Sequence, residues 1–121
     1  MNELDRAKEL QKRTQRFAVD IIHFSSQLPK TDAARVIGRQ FLRSGTSVAA
    51  NYRAACRARS RSEFIAKVGV VVEEADETLF WLDLLVESNL SAADSVDRLR
   101  AECGELVKIF SSSFTTAKKN R

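Results

Sequence analysis

The sequence has little of what interrupts a helix or staples a small fold: one proline, four glycines, two cysteines and one histidine among 121 residues. An all-β chain turning every ten residues or so needs far more Gly and Pro, so helix is the expected class. Two isolated cysteines, Cys56 and Cys103, make neither a disulfide framework nor a C-x-x-C metal knuckle, and both are expected as reduced packing residues. The lone histidine also limits metal chemistry. Asp20 and His23 stand at D-x-x-H spacing, with Glu73, Glu74 and Glu77 available from a later segment. A di-metal carboxylate site in a bundle, however, takes two Glu-x-x-His motifs. His23 is therefore expected as a partly buried packing residue, and no metal or cofactor is expected. There is no G-x-S-x-G elbow, no Gly-rich phosphate loop and no second histidine to pair with a cysteine, which argues against an enzyme. No apolar run approaches the roughly 18 residues of a membrane span, and the charged start MNELDRAKELQKR is unlike a signal peptide, so a cytoplasmic protein is expected.

What the chain does have is amphipathic helix. Leu10, Phe17, Ile21, Phe24 and Leu28 recur at three- and four-residue spacing, which predicts a first helix over residues 3–28 that Pro29 ends. Thr31 or Asp32 can cap a second, running to about Arg57 with Ile37, Phe41, Val48, Tyr52 and Ala55 inward. This helix contains Gly38, Gly45 and a run of small residues from Ser44 to Ala50. Each glycine costs about 1 kcal/mol relative to alanine, which implies close approach of another backbone. Ser60 and Glu63 form a capping box opening a third helix, with Phe64, Val68, Val71, Ala75, Leu79, Leu82 and Val86 at core spacing. Ser91 and Asp94 repeat the cap pattern before a fourth helix lined by Val96, Leu99, Cys103, Leu106, Phe110 and Phe114, whose last residues, AKKNR, are expected to fray. Short connections make consecutive helices antiparallel neighbours. The expected fold is all-α, an up-down-up-down antiparallel four-helix bundle forming a single domain over residues 1–121.

That topology polarises a chain whose net charge is only +4. Residues 1–16, 46–72 and 107–121 meet at one pole and carry fourteen Lys and Arg against four Asp and Glu, leaving six against twelve elsewhere. Between the second and third helices the cations are all arginine: Arg53, Arg57, Arg59 and Arg61. Planar guanidinium forks suit phosphate oxygens and stack on unpaired bases. With Lys67, Lys118 and Lys119 they are the candidate nucleic-acid contacts, RNA or DNA, with little sequence preference. The competing reading is a solvated helix end whose cations complement the dipole of the second helix. Arg35, Arg39 and Arg43 form a separate row; Arg43 falls level with Asp76 and Glu77, so an ion pair between Arg43 and Glu77 or a neighbouring acid is expected to be structural. The segment FWLDLL is apolar nearly all round. Phe80, Trp81, Leu84 and Leu85 are therefore candidate interface residues of a homo-oligomer. A protein-interaction scaffold without nucleic acid is the alternative function.

Taken together, RQFLRSGTSVAANYRAACRARSRSEF followed by EEADETLFWLDLL resembles the small bundle proteins related to those encoded within intervening sequences of bacterial 23S rRNA genes. The similarity covers most of residues 15–88. Its most specific elements are the small-residue run through Asn51, the Arg59-Ser60 turn, Glu63-Phe64 and the acidic segment with Glu77. The resemblance implies an up-down-up-down bundle, commonly a ring-shaped homopentamer, with no established catalytic activity. Similar accessory proteins of diversity-generating retroelements are associated with nucleic-acid binding and a reverse transcriptase. Many members carry Ala-Glu-Gly after the Asn-aliphatic pair. Here Asn51 and Tyr52 are followed by Arg53, Ala54 and Ala55, so a role held by that glutamate does not transfer.

Overall fold

The structure, a computed structural model, describes residues 1–120; Arg121, one of the cations of the basic pole, lies outside them. Four helices follow in order: α1 Glu3–Ser25, α2 Asp32–Cys56, α3 Arg61–Glu87 and α4 Ala93–Lys119. The starts of α2 and α3 are set by capping hydroxyls. Thr31 Oγ1 accepts from the Ala34 amide at 3.2 Å, and Ser60 Oγ from the Glu63 amide at 3.1 Å. At its carboxyl end α1 stops at Ser25, short of Leu28. The amides of Gln27 and Leu28 bond back to Phe24 and Ser25, and the turn lays Leu28 against Gly38 of α2.

The start of α4 departs from expectation. Ala92 is its N-cap, without a side-chain cap bond, and Ser91 does not serve. The reason lies in how α3 ends. Asn89 takes a left-handed conformation (φ 61°), and the amides of Leu90 and Ser91 both reach the Leu85 carbonyl, at 3.0 and 3.1 Å. That closure satisfies α3's last carbonyls and commits Ser91 before α4 begins. At the other end, α4 stays helical through Lys119, further than the expected fraying.

Consecutive helices pack along their lengths and bury one shared core of Phe17, Ile21, Phe41, Val48, Val71, Leu82, Leu106 and Phe110, among others. Contacts descend antiparallel. Leu28 meets Gly38 and Ile21 meets Gly45 between α1 and α2, while Phe114 meets Gly69 and Cys103 meets the Ala75 carbonyl between α4 and α3. The small residues of α2 do permit close approach, but of a side chain rather than a backbone: a Cβ on Gly45 would stand 2.7 Å from Cγ2 of Ile21. On the flank towards α3, the buried hydroxyls of Ser44 and Thr78 lie 2.8 Å apart and within reach of the Phe41 and Glu74 carbonyls. One hydroxyl thus donates to the other and the chain ends on a carbonyl.

Among the described residues α1 and α4 touch far less than consecutive helices do. Between them runs a cleft of about 1050 Å³, lined by Arg6, Arg13, Asp20, Glu102 and Glu105 over Phe17 and Leu99. The bidentate pair of Arg13 and Glu102, at 2.7 and 2.8 Å, crosses it.

Two packing expectations are corrected. His23 is exposed near the end of α1, and Cys56 is exposed on the last turn of α2. Cys103 is fully buried, with its thiol against the Ala75 carbonyl at 3.1 Å, and burial pushes its pKa up to about 12. A thiol-specific reagent at neutral pH should therefore label one cysteine per native chain and both after unfolding. Rapid labelling of both in the native protein would contradict this burial.

Candidate nucleic-acid interface

The connection from α2 to α3 reverses the chain within residues 57–60, so Arg53, Arg57, Arg59 and Arg61 radiate from a single turn. All four are exposed. Arg57 is the C-cap of α2, its amide bonding the carbonyls of Ala54 and Ala55. Arg59 lies 3.8 Å from Glu63 with its side chain 91% exposed, a loose contact. Arg53, Arg57 and Arg61 form no ion pair among the described residues.

Elsewhere four arginines are engaged, while Arg6, Arg16, Arg39 and Arg98 are exposed and form no ion pair among the described residues. Arg13 holds Glu102, Arg35 holds Asp32, and Arg100 holds Asp83 at 3.0 Å. Arg43 reaches Glu74 at 2.7 Å and Glu77 at 2.5 Å, and those two bonds raise its pKa further. Glu77 also accepts from the Trp81 indole N–H at 2.9 Å; this bond, followed by Arg43, holds its carboxyl below the usual range. Arg13, Arg43 and Arg100 tie helix to helix and Arg35 pairs within α2, whereas the guanidinium groups at the α2–α3 turn face solvent.

The remaining pole residues differ among themselves. Lys118 and Lys119 are exposed at the end of α4, with the Lys118 ammonium 5.0 Å from the Phe114 ring centroid. Lys67 is half-buried further along α3 and projects less freely.

The outward apolar set on α3 is corrected at one position. Leu85 is fully buried, because it continues the core row of Thr78 and Leu82 at helical spacing. Phe80 is the most open, 54% exposed, and meets Trp81 edge-on at 4.9 Å. Trp81 and Leu84 are half-buried. With Val70, they make a stripe broken by the charges of Glu73 and Glu77.

Sequence reasoning missed the Arg13–Glu102 pair and counted Arg13 with the free cations of the pole. The signal was available in the α1–α4 register, which sets the middle of one helix beside the middle of the other. For Arg43 the expected partner was Glu77 or a neighbouring acid, and the structure engages both Glu77 and Glu74, one turn apart on the same flank. Among the described residues no cluster of three His, Cys, Asp or Glu is placed to hold a metal ion, and no helix is long and apolar enough to cross a membrane.

The comparisons with known proteins agree with this architecture. A sequence model of the 23S rRNA-intervening sequence protein family matches residues 6–112, further in both directions than the stretch whose motifs carry the resemblance. A crystal structure from Bacteroides thetaiotaomicron, of a protein with unknown function from the S23 ribosomal protein family, superposes with a TM-score of 0.80 at 33% identity. The alignment covers 86% of this chain and 96% of that one. No curated protein matches the chain. The family match runs from the first turns of α1 into the second half of α4, and the chain therefore belongs to the 23S rRNA-intervening sequence protein family.

Proposed function

We propose that this protein is a non-enzymatic, cytoplasmic helical bundle whose basic pole binds the backbone of RNA or DNA with little sequence preference, and that it assembles as a ring-shaped homo-oligomer, a pentamer by family resemblance. The observation that carries the reading is the gathering of four exposed arginines about one short turn, none of them closely paired with an acid. Side chains that stabilise the bundle are paired with acids, while Arg53, Arg57 and Arg61 stand exposed without an acid partner among the described residues, and Arg59 has only a distant one. Exposed, unpaired guanidinium groups keep their full attraction for phosphate. The family name supports RNA as the relevant polymer. Titrating the protein against structured RNA and duplex DNA at two salt concentrations tests the reading. Binding to both, weakening steeply with salt, is expected; no binding even at low salt leaves the arginines as a solvated helix end.

The scaffold reading draws on a different observation, the exposure of Phe80 beside half-buried Trp81 and Leu84. In this proposal the same stripe contacts neighbouring subunits. Sedimentation at micromolar concentration should show a species several times 13.6 kDa, and Phe80→Ala should shift it towards the monomer. A strictly monomeric parent would remove the ring. Phe80 makes the better probe than Trp81, whose indole also bonds Glu77 within the subunit.

A further inference from the structure

Resting on the nucleic-acid reading of the basic pole, we infer that this pole takes double-helical nucleic acid in preference to unpaired strands. Proteins that hold single strands combine a basic track with aromatic rings on which unpaired bases stack. The rings near this pole are committed elsewhere. Tyr52 is 6% exposed and packs on Phe110 with centroids 4.9 Å apart. Phe114 is half-buried, with its edge over Gly69 and the Lys118 ammonium above the ring. Phe64 is half-buried and packed against the core.

The exposed ring is Phe80, nineteen residues along α3 from Arg61, roughly 28 Å away at 1.5 Å per residue. It stands on the stretch of α3 that carries Asp76, Glu77 and Asp83, away from the turn arginines, with Glu77 and Asp83 already paired to Arg43 and Arg100. Nor does a cationic channel lead from the pole. The α1–α4 cleft sets Glu9, Asp20, Glu102 and Glu105 among Arg6, Lys12, Arg13, Arg16 and Arg98, with Arg13 and Glu102 paired across it, so a strand following it meets carboxylates as well as cations.

What remains is a set of exposed cations gathered at helix ends. Such a set gains most where phosphates are densest, and a duplex carries one charge per about 1.7 Å of axis against about 3.4 Å for one of its strands. Counterion release per contact is also larger on a duplex, with slopes of about 0.9 against 0.7. Guanidinium planes can stack on bases, but each arginine that stacks gives up its phosphate, and a duplex asks for no such exchange.

The test compares an RNA duplex of about 20 base pairs, longer than the roughly 16 that a double-strand-reading domain spans, with oligouridine of the same strand length. Both are titrated into the full chain by fluorescence anisotropy at one low salt concentration, and again at a higher one. The duplex should bind at least about tenfold more tightly and show the steeper salt dependence. Oligouridine binding as tight as the duplex would overturn the inference while leaving nucleic-acid binding in place. If neither polymer binds, the nucleic-acid reading itself falls, and this inference with it.

Discussion

Gly45→Leu should destabilise the bundle by about 1–3 kcal/mol through overpacking, on the order of 5–15 °C in melting temperature. The cause is local. The first added carbon would stand 2.7 Å from Cγ2 and 2.8 Å from Cγ1 of Ile21, closer than carbon atoms approach without something moving. Ile21 is fully buried and branched at Cβ, so it has no alternative rotamer to swing into at low cost. The helices must separate instead, and Phe41 and Val48 are drawn away from α1 as they do. Truncating the obstacle, as Ile21→Ala in the Gly45→Leu background, should recover part of the stability, so that the two changes together cost less than their sum. Gly104→Ala is the control: nothing lies within 4 Å of the new carbon, and α4 should gain about 0.4–1 kcal/mol from reduced chain freedom. A Gly45→Leu protein melting with the parent would show that the Ile21 contact does not set the α1–α2 distance.

That site also marks how far the sequence could be read. Phe17, Ile21, Phe41, Val48, Val71, Leu82 and Phe110 were legible as core because helical periodicity places side chains on a face regardless of what covers them. The small-residue run announced close approach, but which atom approaches depends on the register of α1 against α2, and a one-helix pattern carries no information about that. Leu85 failed for a related reason. FWLDLL is apolar nearly all round, so its inward row is fixed by where Thr78 and Leu82 point rather than by its own composition. Cys56 and His23 show the converse, since residue-type preference for burial gives way to position on the helix: both fall on solvent-facing flanks. Ser91 lost its capping role to the left-handed turn at Asn89, a feature of the preceding helix's end that the cap pattern alone does not contain.

The candidate interface was legible in part, because charge is conserved on folding while its availability is not. Counting cations located the pole from topology alone. Deciding which are available requires partners: Arg13 is withdrawn by Glu102 across the α1–α4 cleft, and Lys67 is half-buried, whereas the turn arginines keep their exposure. Acids are concentrated along the second half of α3 and the first half of α4, away from the turn, and among the described residues Glu63 is the one acid paired with a turn arginine.

Replacing Arg53, Arg57, Arg59 and Arg61 together with Gln should weaken binding to unrelated nucleic acids alike, because backbone contacts carry affinity without sequence information. The slope of log affinity against log salt should become shallower by about 0.7–0.9 for each phosphate that the variant no longer neutralises. With all four arginines on phosphates in the parent, the slope falls by about 3 to 4, and affinity at low salt drops by orders of magnitude. Folding should hardly change: the four side chains are exposed, three have no acid partner among the described residues, and the Arg59–Glu63 contact at 3.8 Å is of a kind worth little in water. The comparison with Arg43→Gln separates structure from function. That change leaves Glu74 and Glu77 facing each other without their shared cation, so it should lower stability while leaving the salt slope intact. In a ring, several copies of the turn face the same polymer, and removing four arginines from each abolishes avidity along with single-subunit affinity; the deficit should then be larger on long nucleic acid than on a fragment reaching one subunit. A quadruple variant with the parent's affinity and slope would place binding, if any, elsewhere on the molecule. An equal deficit on long and short fragments would instead show that only one copy of the pole engages at a time.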